Sequence, residues 1–413
     1  MRRLALSLVT AAVLGLASTA MAADNVKIGV IMPLSGNSAS AGQSAKAAIE
    51  LAAQIVNEAH PELKNLPLAA TAGLPNLGGA KTALLVADHQ GNPSEGQNQT
   101  LRLITQEHVV AMLGSYQSNV SFTATAVAER YGIPFVVGDS VAANITGRGF
   151  KWVFRVTPVA TDFANNYMDF LADLKKAGHP ASNIAVVYEN TDYGTSVAGT
   201  VREAAKSHGI NVVADIAYNA NAADVSPQVL QLKEKKPDCI IFISYTADTI
   251  LYMKTMKNLD YLPPLIIGDD SGFSDPAFIK AVGDISQGVI NRSAWDIGPK
   301  DSTTWKINEM YKAKTGHDMD DTSARDMQAA FVLFDAINRA GSTKPEAIQK
   351  ALQETDLKPD QLMMGYKGVK FDKTGQNILA ATYLIQLIGK DYVAVWPPKS
   401  AQHPLIYPFK GWK

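Results

Sequence analysis

Short runs of aliphatic and β-branched residues recur along the chain, and stretches with helical spacing separate them. The apolar runs span 26–32, 83–88, 109–113, 133–137, 184–188, 212–217, 239–243 and 265–267. Most are near-continuously apolar rather than alternating, which is the pattern of parallel strands covered on both faces. Residues 41–57 place small and apolar side chains at helical spacing. Ser94 is positioned to cap a helix running to Gln106, and Ser118 or Ser121 to cap one running to Tyr131. Strand and helix taking turns predicts βαβ units and an α/β fold built on parallel sheets.

The alternation falls into two blocks, about 23–151 and 158–288. Trp152-Val153-Phe154-Arg155-Val156 reads as a strand-like crossover between them, and Gly288-Val289-Ile290-Asn291 as a second crossover. The pattern then becomes helical over 302–314, 322–340 and 344–354. It ends in β-rich stretches at 380–388 and 392–396, joined by Gly389-Lys390-Asp391, a hairpin signal. Residues 61–79, rich in Pro, Gly, Ala and Leu, read as a surface excursion between the first helix and the second strand. No internal repeat and no low-complexity tract is visible.

The N-terminus changes the picture of where the chain works. Arg2 and Arg3 precede an apolar run over 4–16, and Ala20-Met21-Ala22 offers a small-x-small cleavage pattern. The run is shorter than the roughly 20 residues that a membrane-spanning helix needs. Residues 1–22 are therefore expected to be a cleaved signal peptide, with a mature chain in the periplasm. No later run is long enough for a second membrane anchor. Lys and Arg total 38 against 39 Asp and Glu. Without Arg2 and Arg3 the mature net charge is about −3, and no basic cluster exists to neutralise phosphates, so nucleic acid is not expected as a partner. The single cysteine, Cys239, cannot form an internal disulfide and sits in an apolar run, as a buried thiol would. The size suits two domains.

Enzyme signatures are missing. There is no P-loop, and no G-x-G-x-x-G follows the first strand. Gly138-Asp139-Ser140 begins like a nucleophile elbow, but Ala142 stands where the second glycine belongs. The seven histidines are scattered with no metal-binding spacing and most read as surface or helix-end residues; neither metal nor cofactor is expected. The informative residues follow strand ends, where parallel sheets bind ligands and helix N-termini point amides outward. These are Gly114-Ser115-Tyr116-Gln117-Ser118-Asn119, Gly138-Asp139-Ser140-Val141-Ala142, Glu189-Asn190-Thr191-Asp192-Tyr193-Gly194, Ser244-Tyr245-Thr246-Ala247-Asp248 and Gly268-Asp269-Asp270-Ser271-Gly272. Any one of them could simply cap a helix or make a turn. Five delivering hydroxyls, tyrosines and carboxylates to one edge suggest a binding cleft.

The opening Val26-Lys27-Ile28-Gly29-Val30-Ile31-Met32-Pro33-Leu34-Ser35-Gly36 resembles that of periplasmic solute-binding proteins of the leucine/isoleucine/valine-binding family. Asp88 with Gly91-Asn92-Pro93, and Asn190-Thr191-Asp192-Tyr193-Gly194, are similar to that family too. The resemblance covers the whole mature chain. It implies a type I periplasmic binding fold: two Rossmann-like lobes with parallel sheets, joined by a three-crossover hinge. On this pattern one lobe comprises 23–155 with 291–370 and the other 156–290 with 371–413. The implied function is to capture a small carboxylate-bearing solute, a branched-chain or related amino acid or an aromatic acid, and deliver it to the permease of an ABC importer. A ligand-binding module for a chemoreceptor or sensor kinase is the alternative. A monomer without enzymatic activity is expected.

The resemblance also implies site residues. The loops that would hold the ligand carboxylate match Ser115, Tyr116, Gln117 and Ser118, then Ser140 and Ala142. Tyr193 would pack over the ligand, Tyr245 or Thr246 would line the pocket, and Asp269 or Asp270 would pair with an α-ammonium, with Asp270 the preferred candidate. Trp295 could add an aromatic wall. Three features depart from the family pattern: Ala142 replaces a hydroxyl, an aspartate replaces the usual glutamate, and the N-lobe disulfide is absent.

Overall fold

The computed structural model describes residues 25–269 and 271–411. The expected signal peptide and Asp270 lie outside the described residues. Strand β1 (Val26–Met32) is buried except at Lys27. It is followed by α1 (Ala39–Asn57), β2 (Thr82–Asp88), α2 (Pro93–Thr105), β3 (Ala111–Gly114), α3 (Ser118–Tyr131), β4 (Phe135–Val137) and β5 (Val153–Arg155). These strands form one parallel sheet in the order β2-β1-β3-β4-β5. Continuous burial explains the unbroken apolar runs, because helices cover both faces.

The second sheet starts with α4 (Ala160–Lys176), β6 (Asn183–Glu189), α5 (Asp192–Ser207), β7 (Asn211–Tyr218), α6 (Ser226–Lys235), β8 (Cys239–Ile243) and α7 (Thr246–Asn258). Then come β9 (Ile266–Gly268), α8 (Ser271–Ser274), α9 (Pro276–Val282) and β10 (Ile290–Ser293). The chain goes on to α10 (Thr303–Thr315), α11 (Asp321–Ala340) and α12 (Pro345–Gln353). A short ladder of β11 (Asp356–Leu357) and β12 (Val369–Lys370) precedes the hairpin of β13 (Tyr383–Ile388) and β14 (Asp391–Trp396). The sheet order is β14-β13-β10-β9-β8-β6-β7, parallel from β6 to β10 and antiparallel at the terminal hairpin. Gly389 takes φ 67° in the predicted turn.

Each sheet has its own core. One face of the first packs on α1 and α11, the other on α2 and α3. The second is covered by α4 and α5 on one face and by α6, α7 and α9 on the other. The chain passes between the cores three times: after Arg155, after Ser293 and before Tyr383. Asn377 fastens the third passage beside the first, since its amide donates to the Val156 carbonyl at 3.0 Å.

Several local expectations are corrected. Residues 153–155 are the edge strand of the first sheet before they become a crossing. Ile290–Ser293 is a strand of the second sheet, paired on both sides, so that crossing starts after Ser293. Phe371 still belongs to the first core, which moves the last crossing past 370. The 61–79 segment is more than a surface excursion: Leu63, Leu66 and Leu74 are buried in the first core, because apolar area this large is driven out of water. Asn92, not Ser94, caps α2. Its side chain accepts from the Ser94 and Glu95 amides, with Pro93 preset for the first turn. Neither Ser118 nor Ser121 caps α3, which begins at Ser118 behind Gln117.

Candidate functional site

The loops after β3, β4, β6, β8 and β9 meet at one buried edge between the two sheets. Ser115, Tyr116, Gln117, Ser118, Ser140, Ala142, Tyr193 and Thr246 are all buried there, and Tyr245 is partly buried. The hydroxyls on the first sheet's side are spent on one another. Ser121 Oγ lies 2.9 Å from Ser115 Oγ and 2.7 Å from Ser140 Oγ. Ser140 donates to the Tyr116 carbonyl at 2.8 Å, and Ser118 Oγ accepts from the Ala142 amide at 3.3 Å. This chain sews the loop after β3 to the loop after β4. His89 fixes it from below: Nδ1 accepts from the Gly91 amide, so Nε2 donates to the Ser115 carbonyl at 3.1 Å. Burial holds its pKa below the ordinary histidine value, so it stays neutral. His89 is thus a core residue rather than a surface one, which position along the chain did not reveal. Gln117 Oε1 is buried with no partner.

Three tyrosine rings bridge the sheets. Tyr116 from the first and Tyr245 from the second have centroids 5.3 Å apart, and Tyr245 lies 5.1 Å from Tyr193. Such tilted pairs contribute about 0.5–1.5 kcal/mol beyond area burial. Tyr116 is held at φ 103°, where a bulky L residue is strained. Tyr193 sits in the first turn of α5, and the glycine beside it is obligatory. A Cβ on Gly194 would stand 1.9 Å from the Glu189 carbonyl oxygen, so only glycine lets the helix start this close to its strand.

Behind the rings lies a charged network that no motif announced. Arg325 on α11 pairs with Asp139, donates to the Asp139 carbonyl at 3.0 Å, and reaches Asp321 at 2.9 Å. Arg292 on β10 donates to the Asp269 carbonyl at 2.8 Å and lies 3.8 Å from Asp321. Its guanidinium also sits 3.8 Å over the Phe163 ring. Asp321 thereby joins a cation from each core. Asp269 is fully buried and also bonded to Tyr167 and Tyr193, so its carboxylate is engaged inside the second half. Gly138 leaves room for α11 to close on this loop, since a Cβ there would meet Asp326 Oδ1 at 2.3 Å. Arg155, fully buried, donates to the Ala142 carbonyl at 2.7 Å and to Thr146 at 3.0 Å. Burial lowers its pKa to about 9, which leaves it charged at neutral pH.

The halves touch on either side of this cluster. Ser40 of α1 donates to Asp275 at 2.8 Å, and Asn37 donates to Asn221 at 2.5 Å. Thr246 Oγ1 is turned to the other Asp275 oxygen, at 2.8 Å. Trp295, buried just past β10, donates its indole NH to the Met319 carbonyl at 3.1 Å, away from the tyrosines. Among the described residues no group of His, Cys, Asp and Glu could hold a metal ion, and no helix is long and apolar enough to cross a membrane.

A family model described as periplasmic binding protein matches residues 25–391. The chain belongs to that family. It is 32% identical over 394 residues to Leu/Ile/Val-binding protein homolog 8 of Brucella suis biovar 1 (strain 1330), covering 93% of each chain. Among solved structures it is similar to LivJ of Streptococcus pneumoniae, the substrate-binding protein of a branched-chain amino acid transporter, in complex with isoleucine. That match has a TM-score of 0.75 at 19% identity and covers 89% of this chain and 98% of that one. It is equally similar to a solute-binding protein from R. palustris in complex with benzoate, with a TM-score of 0.75 at 18% identity, covering 90% and 95%. The type I fold expected from the sequence is thus the fold observed, and the family is one of binding proteins, not enzymes.

In this binding protein the fold brings nine of the expected site residues to one edge. Arg292, Arg325, Asp321 and Tyr167 were missed; Asp139 was legible only as a member of the loop after β4.

Proposed function

We propose that this binding protein captures a small carboxylate-bearing solute between its two sheets and delivers it to the permease of an ABC importer in the inner membrane. The observation that carries this reading is the convergence of five strand-tip loops, drawn from both sheets, on one buried cluster of rings and charges. The N-termini of α3, α5 and α7 meet there and favour an anion. Tyr116, Tyr193 and Tyr245 offer flat apolar faces to a branched or aromatic body. Relatives of the same fold hold isoleucine or benzoate, which supports an amino acid or an aromatic acid as cargo. Each sheet with its helices acts as one lobe. The Ser40–Asp275, Asn37–Asn221 and Tyr116–Tyr245 contacts exist only with the lobes together, so a solute that bridges them shifts the population toward the shut form. The leader-like start fits work in the periplasm.

Calorimetric titration of the purified mature chain with isoleucine, leucine, benzoate and 3,4-dihydroxybenzoate tests this. One member is expected to bind one-to-one with micromolar affinity or better. At a hundredfold excess over Kd it should add about 2.7 kcal/mol of stability, visible as a higher melting temperature. No heat and no shift with any of the four overturns the reading.

A further inference from the structure

Where the start of α11, the end of β10 and the terminal hairpin come together lies a cavity of about 440 Å³, within the range of small-molecule sites. Its walls come from both lobes and the crossing between them. Trp295, Tyr383 and Tyr392 give it aromatic faces, and five aspartates line it against two lysines and one histidine. Most of those carboxylates are spoken for. Asp318 pairs with Lys312 at 3.1 Å, Asp321 with Arg325 at 2.9 Å, and Asp296 accepts from the Gly298 amide at 2.8 Å. Asp320 differs. One oxygen caps α11 by accepting from the Ser323 amide at 2.7 Å, and the other has no partner although the residue is only 8% exposed. From the second lobe, Ser274 lines the same cavity; its hydroxyl is also unpartnered and the residue is only 7% exposed.

A buried carboxylate oxygen without a donor is costly, and a ligand that donates to it relieves that cost. The donor that suits it best is cationic, because the unpartnered atom belongs to a carboxylate and the aromatic faces attract cations. The neutral Ser274 hydroxyl can accept a second hydrogen of the same ammonium. Burial pushes the Asp320 pKa up to about 6, which keeps the group mostly charged at neutral pH. We propose that this cavity is a second ligand site, separate from the strand-tip cluster, that takes a small organic amine with an apolar body.

The test uses the mature chain, with phenethylamine as the amine probe and benzoate and isoleucine as carboxylate probes. Phenethylamine should bind one-to-one. Asp320→Asn should weaken it by about ten- to a hundredfold, the cost of a lost charge-assisted bond. Asn caps helices as well as Asp does, so the fold should survive. Filling the cavity from β14 with Ala394→Met should block the amine as well, which guards against misfolding of the first variant. Both variants should keep the response to whichever carboxylate the wild type binds, and Tyr245→Ala should do the reverse. The proposal is overturned by absent phenethylamine binding, or by binding that both cavity variants leave intact. A chain that takes the amine but no carboxylate would instead overturn the function proposed above.

Discussion

The two sides of the strand-tip cluster are built by different chemistry. On the first lobe, neutral hydroxyls of Ser115, Ser121 and Ser140 sew neighbouring loops together over a neutral His89. On the second, the Asp269 carboxylate is held by Arg292 and two tyrosines, and Asp321 carries the charge network across to Arg325. Each hydrogen bond in the neutral wall contributes about 0.5–1.5 kcal/mol net. The charged wall works differently. Its ions are out of water, so their net contribution to stability is small while intact, yet loss of one partner strands the others. The contrast teaches that the first wall is a cheap, stiff shelf, and the second a set of poised charges whose arrangement depends on both lobes.

The largest expected effect is at the charged wall. Arg292→Leu leaves Asp269 and Asp321 without one cation, and urea unfolding should show a loss of about 3–5 kcal/mol. A loss below about 1 kcal/mol, the level of an exposed pair, would contradict a desolvated network. Next comes the close packing under Tyr193. Gly194→Ala forces a Cβ into the Glu189 carbonyl and should cost roughly 2–3 kcal/mol as an overpacking strain. An unchanged unfolding midpoint would mean the helix can back away freely. At the neutral wall, Ser121→Ala removes the middle hydroxyl and should cost about 1 kcal/mol. If it costs as much as Arg292→Leu, the two walls are not different in kind.

The smallest effect concerns pH. Burial raises the carboxyl pKa of Asp326 to about 7, with Arg325 opposing and Asp320 adding to the shift. Asp248 and Asp320 are raised to about 6, also mainly by burial. A raised carboxyl pKa means the folded state holds protons that the unfolded state releases. Stability from these groups therefore falls as pH rises from about 4 to about 7. Asp88, Asp318 and Glu50 have lowered values and work the other way, losing their contribution as pH drops below about 4. The melting temperature should be higher at pH 5.5 than at pH 7.5. Asp326→Asn should raise it at pH 7.5 and flatten the slope. A steeper slope in the variant would refute the assignment.

The fold was legible because its signals are local. The runs at 26–32 and 239–243 coincide with β1 and β8, and their unbroken apolarity comes from burial on both faces. The loops that meet between the sheets were legible as well, since parallel strands must deliver them to one edge. What escaped were the choices set by tertiary contacts. Asn92 outcompetes Ser94 as a cap because Pro93 fixes the first turn. Leu63, Leu66 and Leu74 look like loop residues until α1 and the first core cover them. Arg292, Asp139 and the Asp321–Arg325 pair come from three separate stretches of chain; the i,i+4 spacing links only the two residues on α11, and nothing local ties that pair to the others. The serines read as ligand contacts are used mainly to hold one loop to the next.

The central claim is that two lobes shut on a solute at their strand tips. Spin labels at Leu101→Cys on α2 and Leu230→Cys on α6, both exposed positions, report the separation of the lobes directly. Cys239 is buried and its thiol pKa is pushed well up, so it should stay unlabelled. With a saturating solute identified by calorimetry, the distance distribution should collapse to one short, narrow peak, against a longer or broader one without solute. Identical distributions in the two conditions, with binding intact, would contradict the account.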